Sequence, residues 1–189
     1  MKSMYKWKSL VSQVQKSNLA FIVLWTVFFS LAYSQAPLYT SNQNQYFLHG
    51  LAKAGLGYLK ADWLANTLDP TPVFSSIVYA SYRLLDWPPI FYIYFGILAG
   101  VYLFSLTGIA DHIFGIRKNR LTCYSFMALL IGFHSAALRF LLVRLFDTNW
   151  AYLFDGGFAG QRLLGEVLQP STFGVLLLLS IFLFLKRRI

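Results

Sequence analysis

Apolar residues along this chain gather into runs set apart by polar stretches, and the lengths of those runs are the first structural information it carries. A helix needs about 20 mostly apolar residues to cross a bilayer. Three runs meet or approach that length: residues 19–34, opening with LAFIVLWTVFFSLAY, residues 89–110 and residues 121–146. A fourth, residues 170–185, contains STFGVLLLLSIFLFL. That stretch makes only about 22 Å of helix and needs Lys186 to snorkel or the membrane to thin. Between the first two runs lies NQNQYFLHGLAKAGLGYLKADWLANTLDPTP, from Asn42 to Pro72, which holds no uninterrupted apolar run. Read as helix, it sets Leu48, Ala52, Gly55, Leu59 and Trp63 along one stripe, with His49, Lys53 and Lys60 on the opposite side. Gly55 and Gly57 cost about 1 kcal/mol each in a helix interior, so the helix is expected to bend or divide there. Asp69-Pro70 and Thr71-Pro72 disfavour helix and predict a turn. The expected fold is an all-α integral membrane protein, a single membrane domain over 1–189. It has about four transmembrane helices and interfacial juxtamembrane helices over 44–86 in its first outer loop.

Residues 73–85, VFSSIVYASYRLL, offer a fifth span, and the positive-inside rule arbitrates. Four spans place ten basic residues of the loops and tails inside, in the clusters Lys2 to Lys16, Arg117 to Arg120 and Lys186 to Arg188, against Lys53, Lys60, Arg83 and Arg162 outside. A fifth span inverts everything after it and leaves five inside and eight outside. The four-span arrangement therefore predicts both termini in the cytoplasm of a bacterial inner membrane. Thirteen residues also give only about 20 Å of helix. The segment reads either as an interfacial helix lying along the membrane or as a short helix tilted into the bundle. With four spans, Asp62, Asp69, Asp86, Asp147, Asp155 and Glu166 fall outside and only Asp111 inside, which directs the search for chemistry to the outer face.

Composition agrees with a membrane protein. The chain is 57% hydrophobic and 12% charged, where soluble domains carry about 25% charged residues. Its net charge of +9 is spread over short clusters beside apolar runs and never forms one extended basic face, so the expected partner is the lipid bilayer and not nucleic acid. Cys123 is the lone cysteine, which rules out an intrachain disulfide and a cysteine-based metal site. A competing reading makes residues 1–34 a cleaved signal peptide ending near AYS; the length of the basic region favours an uncleaved anchor. Gly96 and Gly100 form one G-x-x-x-G, a spacing that serves packing within the bundle or dimerisation.

One span, then a long outer loop of juxtamembrane helices opened by the polar motif NQNQY, resembles the N-terminal part of the GT-C membrane glycosyltransferases. In that superfamily the first outer loop opens on an acidic D-E-x-x-Y pattern, and here Asn42 and Gln43 stand where the acids would be. The resemblance implies a polyprenyl-phosphate-linked sugar handled at the outer face and a divalent metal; other membrane subunits are the partners expected on a non-catalytic reading. Asn42 and Gln43 cannot take a proton near neutral pH, so Asp62 and Asp69 become the candidate catalytic carboxylates. Asn42, Gln43, His49, Lys60, Arg139 and Arg144 become the candidate substrate-binding residues. No metal ligand set is assignable.

Arg139 lies about 27 Å and Arg144 about 35 Å up the third span from Leu121, so both are expected to reach the outer interface. They are about 140° apart on a helix and do not face one phosphate together. Arg144 and Asp147 have the spacing of a local ion pair. His134 lies deeper and reads as a hydrogen-bonded bundle residue. FDGGFAGQRLLGEVLQPST, from Phe154 to Thr172, reads as a flexible loop without a nucleotide motif. Two function classes follow: a truncated or split GT-C-like glycosyltransferase, and a non-catalytic membrane subunit that binds a lipid or partner through its outer helices. A small transporter is disfavoured by the lack of paired discontinuous helices.

Overall fold

A computed structural model describes residues 19–33, 36–147, 157–158, 161–162, 164–165 and 167–187. The N-terminal lysines on which the cleavage reading rests lie outside the described residues, as do Asp155, Glu166 and Arg188. The described chain is helical apart from a two-residue antiparallel rung pairing 157–158 with 161–162. In order come α1 (Leu19–Tyr33), α2 (Gln43–Ala54), α3 (Pro72–Leu85), α4 (Ile90–Phe114), α5 (Arg120–His134), α6 (Ala136–Leu145) and α7 (Val175–Arg187). Short 3₁₀ turns lie at Leu59–Ala61, Leu64–Asn66, Ile116–Lys118 and Pro170–Gly174.

Among the described residues α4 is the one helix long and apolar enough to cross a membrane by itself. Its 25 residues extend about 37 Å, more than a hydrocarbon core of about 30 Å. The helices at 19–33 and 170–186 are apolar but shorter. The third expected span, 121–146, is not continuous. It is broken at Ser135 into α5 and α6, which meet at 56°. The cause is local: Ser135 is extended, with φ −70° and ψ 145°, and its Oγ accepts the Leu138 N–H at 3.2 Å while donating to the Gly132 carbonyl at 2.8 Å. Serine acting as an N-cap in mid-run starts a new helix.

The segment 42–72 divides at Gly55 as its glycines predict. Gly55 takes φ +79° and caps α2, and Leu56 N–H closes back on the Leu51 carbonyl. Its amphipathic face is turned from the expected one. Gln43, Phe47, His49, Gly50 and Ala52 are the buried residues of α2, so His49 faces inward, not outward with Lys53 and Lys60. The connection between the hairpin arms covers His49 through Ala65, and α3 packs along α2 as the second arm of a helical hairpin. Gly50 makes this approach close: a Cβ there would stand 2.6 Å from Val78 Cβ and 2.7 Å from the Ser75 carbonyl oxygen. Phe74, Ser75, Val78, Ser81 and Tyr82 form the buried face of α3. The segment 73–85 is therefore a helix packed along α2. Phe47 joins the hairpin to the top of α4, with its ring centroid 5.5 Å from Phe74 and 4.7 Å from Phe91. Each such burial is worth about 1.5–3 kcal/mol.

The G-x-x-x-G of α4 is spent inside the molecule. A Cβ at Gly100 would meet Thr26 Cγ2 at 2.7 Å, and one at Gly96 would meet Ser30 Oγ at 3.2 Å, so two small positions of α1 seat against two glycines of α4. The hydroxyls of Thr26 and Ser30 close on their own helix carbonyls at 2.8 Å, which leaves the seam without unmet polar groups from these two residues. Small residues at this spacing let helix backbones approach, and here the two helices belong to one chain.

Candidate functional site

The α2–α3 hairpin and its connection hold most of the residues singled out in the sequence, and the side chains of Gln43, His49, Asp62 and Asp69 are occupied in building it. Gln43 is 1% exposed. Its Oε1 accepts the Tyr39 N–H at 2.8 Å and its Nε2 donates to the Leu168 carbonyl at 3.1 Å. One amide thus ties the strained turn before α2, where Tyr39 and Ser41 both take positive φ, to the segment leading into α7. Asn42 precedes α2 with its side chain making no cap bond, while its carbonyl accepts the N–H groups of Gln45 and Tyr46. His49 Nδ1 lies 3.0 Å from the Ala65 carbonyl, an acceptor, so this nitrogen carries the proton and donates.

Asp62 and Asp69 behave as local organisers. Asp62 Oδ1 accepts the Ala65 N–H at 2.8 Å and caps the turn at Leu64–Asn66. Asn66 closes the same turn by donating to the carbonyls of Leu59, Lys60 and Asp62. Lys60 enters through that backbone carbonyl, with its side chain exposed. Asp69 is 12% exposed, and its Oδ2 accepts Lys53 Nζ at 2.9 Å. Its Oδ1 accepts the Thr71 N–H at 2.9 Å and the Ser75 hydroxyl at 3.1 Å. Lys53 and His49, one turn apart on α2, thus both clasp the connection between the hairpin arms. Periodicity groups them on one side and gives that side to solvent, which holds for the half-exposed Lys53 and not for the buried His49.

Burial pushes the Asp69 carboxyl up, but the hydrogen bonds from Lys53, Thr71 and Ser75 outweigh it and hold the acid below its ordinary value. A lowered folded-state value means that this carboxylate contributes stability above its unfolded value, and that the contribution is lost as pH falls through the folded one. Asp69→Asn is therefore expected to lower the melting temperature at pH 7 and to flatten the decline of stability below about pH 4. Thermal unfolding from pH 7 to pH 2.5 checks this, and parallel curves for variant and wild type would count against it.

The two arginines are separated, as helical geometry requires. Arg144 is exposed in the last turn of α6. Arg139 is 8% exposed and lies with its guanidinium carbon 5.1 Å from the centroid of the Tyr33 ring. It is a buried residue beside the C-terminal end of α1, of which Tyr33 is the last residue. Cation–π contact of this kind is worth about 2 kcal/mol when desolvated. Tyr33 also stacks on Phe95 at 5.9 Å and donates its hydroxyl to the Leu164 carbonyl. Its ring meets His134 edge-on at 5.8 Å. His134 is a hydrogen-bonded bundle residue, as expected: Nδ1 sits 2.8 Å from the Leu130 carbonyl and Nε2 3.2 Å from the Tyr102 hydroxyl. This buried group of Tyr33, Tyr102, His134 and Arg139 is drawn from α1, α4, α5 and α6, and no local motif announced it.

The candidate residues thus divide into separate places: Gln43 under the turn before α2, the two aspartates in the connection, and Arg139 beside Tyr33. A divalent metal, implied by the GT-C resemblance, does not fit them. Among the described residues no three His, Cys, Asp or Glu side chains gather as a ligand set. The Asp69 carboxylate already serves three donors. Comparison with profiles of known protein families, with curated protein sequences and with solved structures found no match.

Proposed function

We propose that this chain is an integral membrane protein of the plasma membrane, with four membrane-crossing segments and both termini cytoplasmic. Its outer helical hairpin serves as a rigid, non-catalytic platform for a lipid or a partner subunit. One observation carries the second half of this reading: the polar side chains best placed for sugar or phosphate chemistry, Gln43, His49, Asp62 and Asp69, are engaged in holding the hairpin together. Asp69, with both oxygens serving three donors, is a poor general base. The order of α1, an outer helical hairpin and the long α4 supports kinship with the N-terminal part of the GT-C enzymes, without the acidic motif that serves their chemistry. The crossing segments are α1, α4, the bent α5–α6 pair and the helix at 170–186. The bent pair suits a membrane if the polar groups freed at Ser135 are closed locally, as its two hydrogen bonds close them.

Topology and turnover test the two halves separately. Reporters fused after Ile189 and within residues 112–120 should read cytoplasmic, and one at the 95% exposed Leu68 should read external. An external signal from either of the first two positions ends the four-span arrangement. The full chain reconstituted with a polyprenyl-phosphate sugar is expected to show no transfer. Transfer that disappears in Asp62→Asn or Asp69→Asn would restore the catalytic reading.

A further inference from the structure

We propose that the apolar groove between α3, α4 and the 3₁₀ turn at Pro170–Gly174 holds one acyl chain of a bilayer phospholipid, with the phosphate headgroup at its Thr71 and Lys53 end. This inference rests on the membrane-spanning reading above and specifies the ligand of the outer platform. Two recesses of about 230 Å³ each adjoin through Ile77 and Phe173, which line both. Val73 and Phe74 wall the upper one, and Ile97 and Leu98 the lower. Ile97 lies seven residues along α4 from Ile90, about 10 Å down its axis, whereas Thr71 belongs to the outer connection. The groove therefore descends from the interfacial level into the hydrocarbon level, the path of a lipid chain.

Volume selects among lipids. An apolar cavity of about 150 Å³ accommodates benzene, or roughly 25 Å³ per carbon. Each recess then takes about nine carbons and the two in line about 18, the length of one common acyl chain. Charge selects the headgroup. Asp69 holds Lys53 on one oxygen and the Thr71 N–H on the other, which puts a half-exposed ammonium beside the groove's polar end. Lys53 keeps donor directions for a second anion, since an ammonium has three. Thr71, which lines the upper recess, carries a buried Oγ1 without a hydrogen-bond partner. A phosphodiester supplies acceptors to both groups.

Bulk lipid is as apolar as the groove, so the preference for this site must come from shape and headgroup contact and is modest. The full chain is placed in vesicles of phosphatidylcholine containing a phosphatidylglycerol probe with a diazirine at mid-chain, irradiated, and mapped by peptide mass spectrometry. Labelling at Ile77, Ile97 and Phe173 is expected to exceed labelling at Leu177 and Phe140 about fivefold, the scale of one charge-assisted contact at an exposed site. Leu177 and Phe140 are 63% and 68% exposed and serve as boundary-lipid controls. Ile97→Trp, at a position 58% exposed, and Ile77→Trp should each fill the groove and remove the excess while leaving Leu177 labelled. Lys53→Gln should bring the excess close to parity. Labelling in simple proportion to exposure overturns the groove and leaves the membrane reading standing. No labelling at any site, Leu177 and Phe140 included, overturns the membrane reading and this inference with it. An excess abolished by an equal mole fraction of polyprenyl phosphate overturns the acyl chain as occupant.

Discussion

Gln43→Glu is expected to be among the most damaging single substitutions in this chain, lowering stability at pH 7 by about 3 kcal/mol, on the scale of an uncompensated buried charge. The wild-type amide is 1% exposed and uses both ends, with Oε1 accepting from Tyr39 and Nε2 donating to the Leu168 carbonyl. A glutamate keeps the first contact and turns the second into an oxygen facing a carbonyl oxygen 3.1 Å away. Ionised, it is a buried anion against an acceptor; protonated, it donates to that acceptor and restores the bond. Its folded-state value must therefore rise above the unfolded one. The loss is then absent at pH below the unfolded value, near 4.3, and grows as pH climbs through the folded value. Thermal unfolding of the full chain in detergent at pH 4 and pH 7 measures this, with Gln43→Leu as a companion that leaves the Tyr39 N–H and Leu168 carbonyl unmet at both. A glutamate variant as stable as wild type at pH 7 would remove the amide strap from the account.

Gly50→Leu is the second large effect. A side chain there starts 2.6 Å from Val78 Cβ and 2.7 Å from the Ser75 carbonyl oxygen, atoms fixed to the backbone of α3 that cannot rotate away. The hairpin arms must part, which opens the contacts of Phe47 with Phe74 and Phe91. Overpacking typically costs about 1–3 kcal/mol, and a clash with backbone stands at or above the top of that range. Gly132 supplies the control. It lies in α5 with nothing within 4 Å of an added Cβ, and Gly132→Ala is expected to be neutral or to stabilise by up to about 1 kcal/mol through helix propensity. Melting temperatures of the two variants should move in opposite directions or differ by many degrees. Equal shifts would contradict the close approach of α2 and α3.

Local signals were readable in proportion to how little they depended on distant residues. The positions of the apolar helices follow from run length, because a continuous apolar stretch has no stable alternative to helix in an apolar surrounding. The division at Gly55 follows from a residue that takes φ +79° without a Cβ penalty. The interruption at Ser135 was also local and was passed over, since a serine in an apolar run reads as tolerated until its hydroxyl is seen capping the next helix. Faces were less legible than elements. Periodicity placed His49 with Lys53, yet whether that side meets water depends on the connection at 62–69, which folds back across it and takes a bond from each.

What the sequence alone determined is thus the helical class, the approximate place of each helix and the turn signals between them, all properties of a few neighbouring residues. Tertiary structure decided what those elements do to one another. It turned the G-x-x-x-G of α4 toward Thr26 and Ser30 of α1, and packed 73–85 onto α2. It drew Arg139 inward over Tyr33, and turned the polar residues of the expected site into caps and straps. The bonds that settle these matters join residues as far apart as Tyr33 and Leu164 or Gln43 and Leu168, separated by 131 and 125 positions. No spacing rule reaches that far: a side chain's periodicity says which neighbours share its face, and only the arrival of another element says whether that face is buried, paired or left for a ligand.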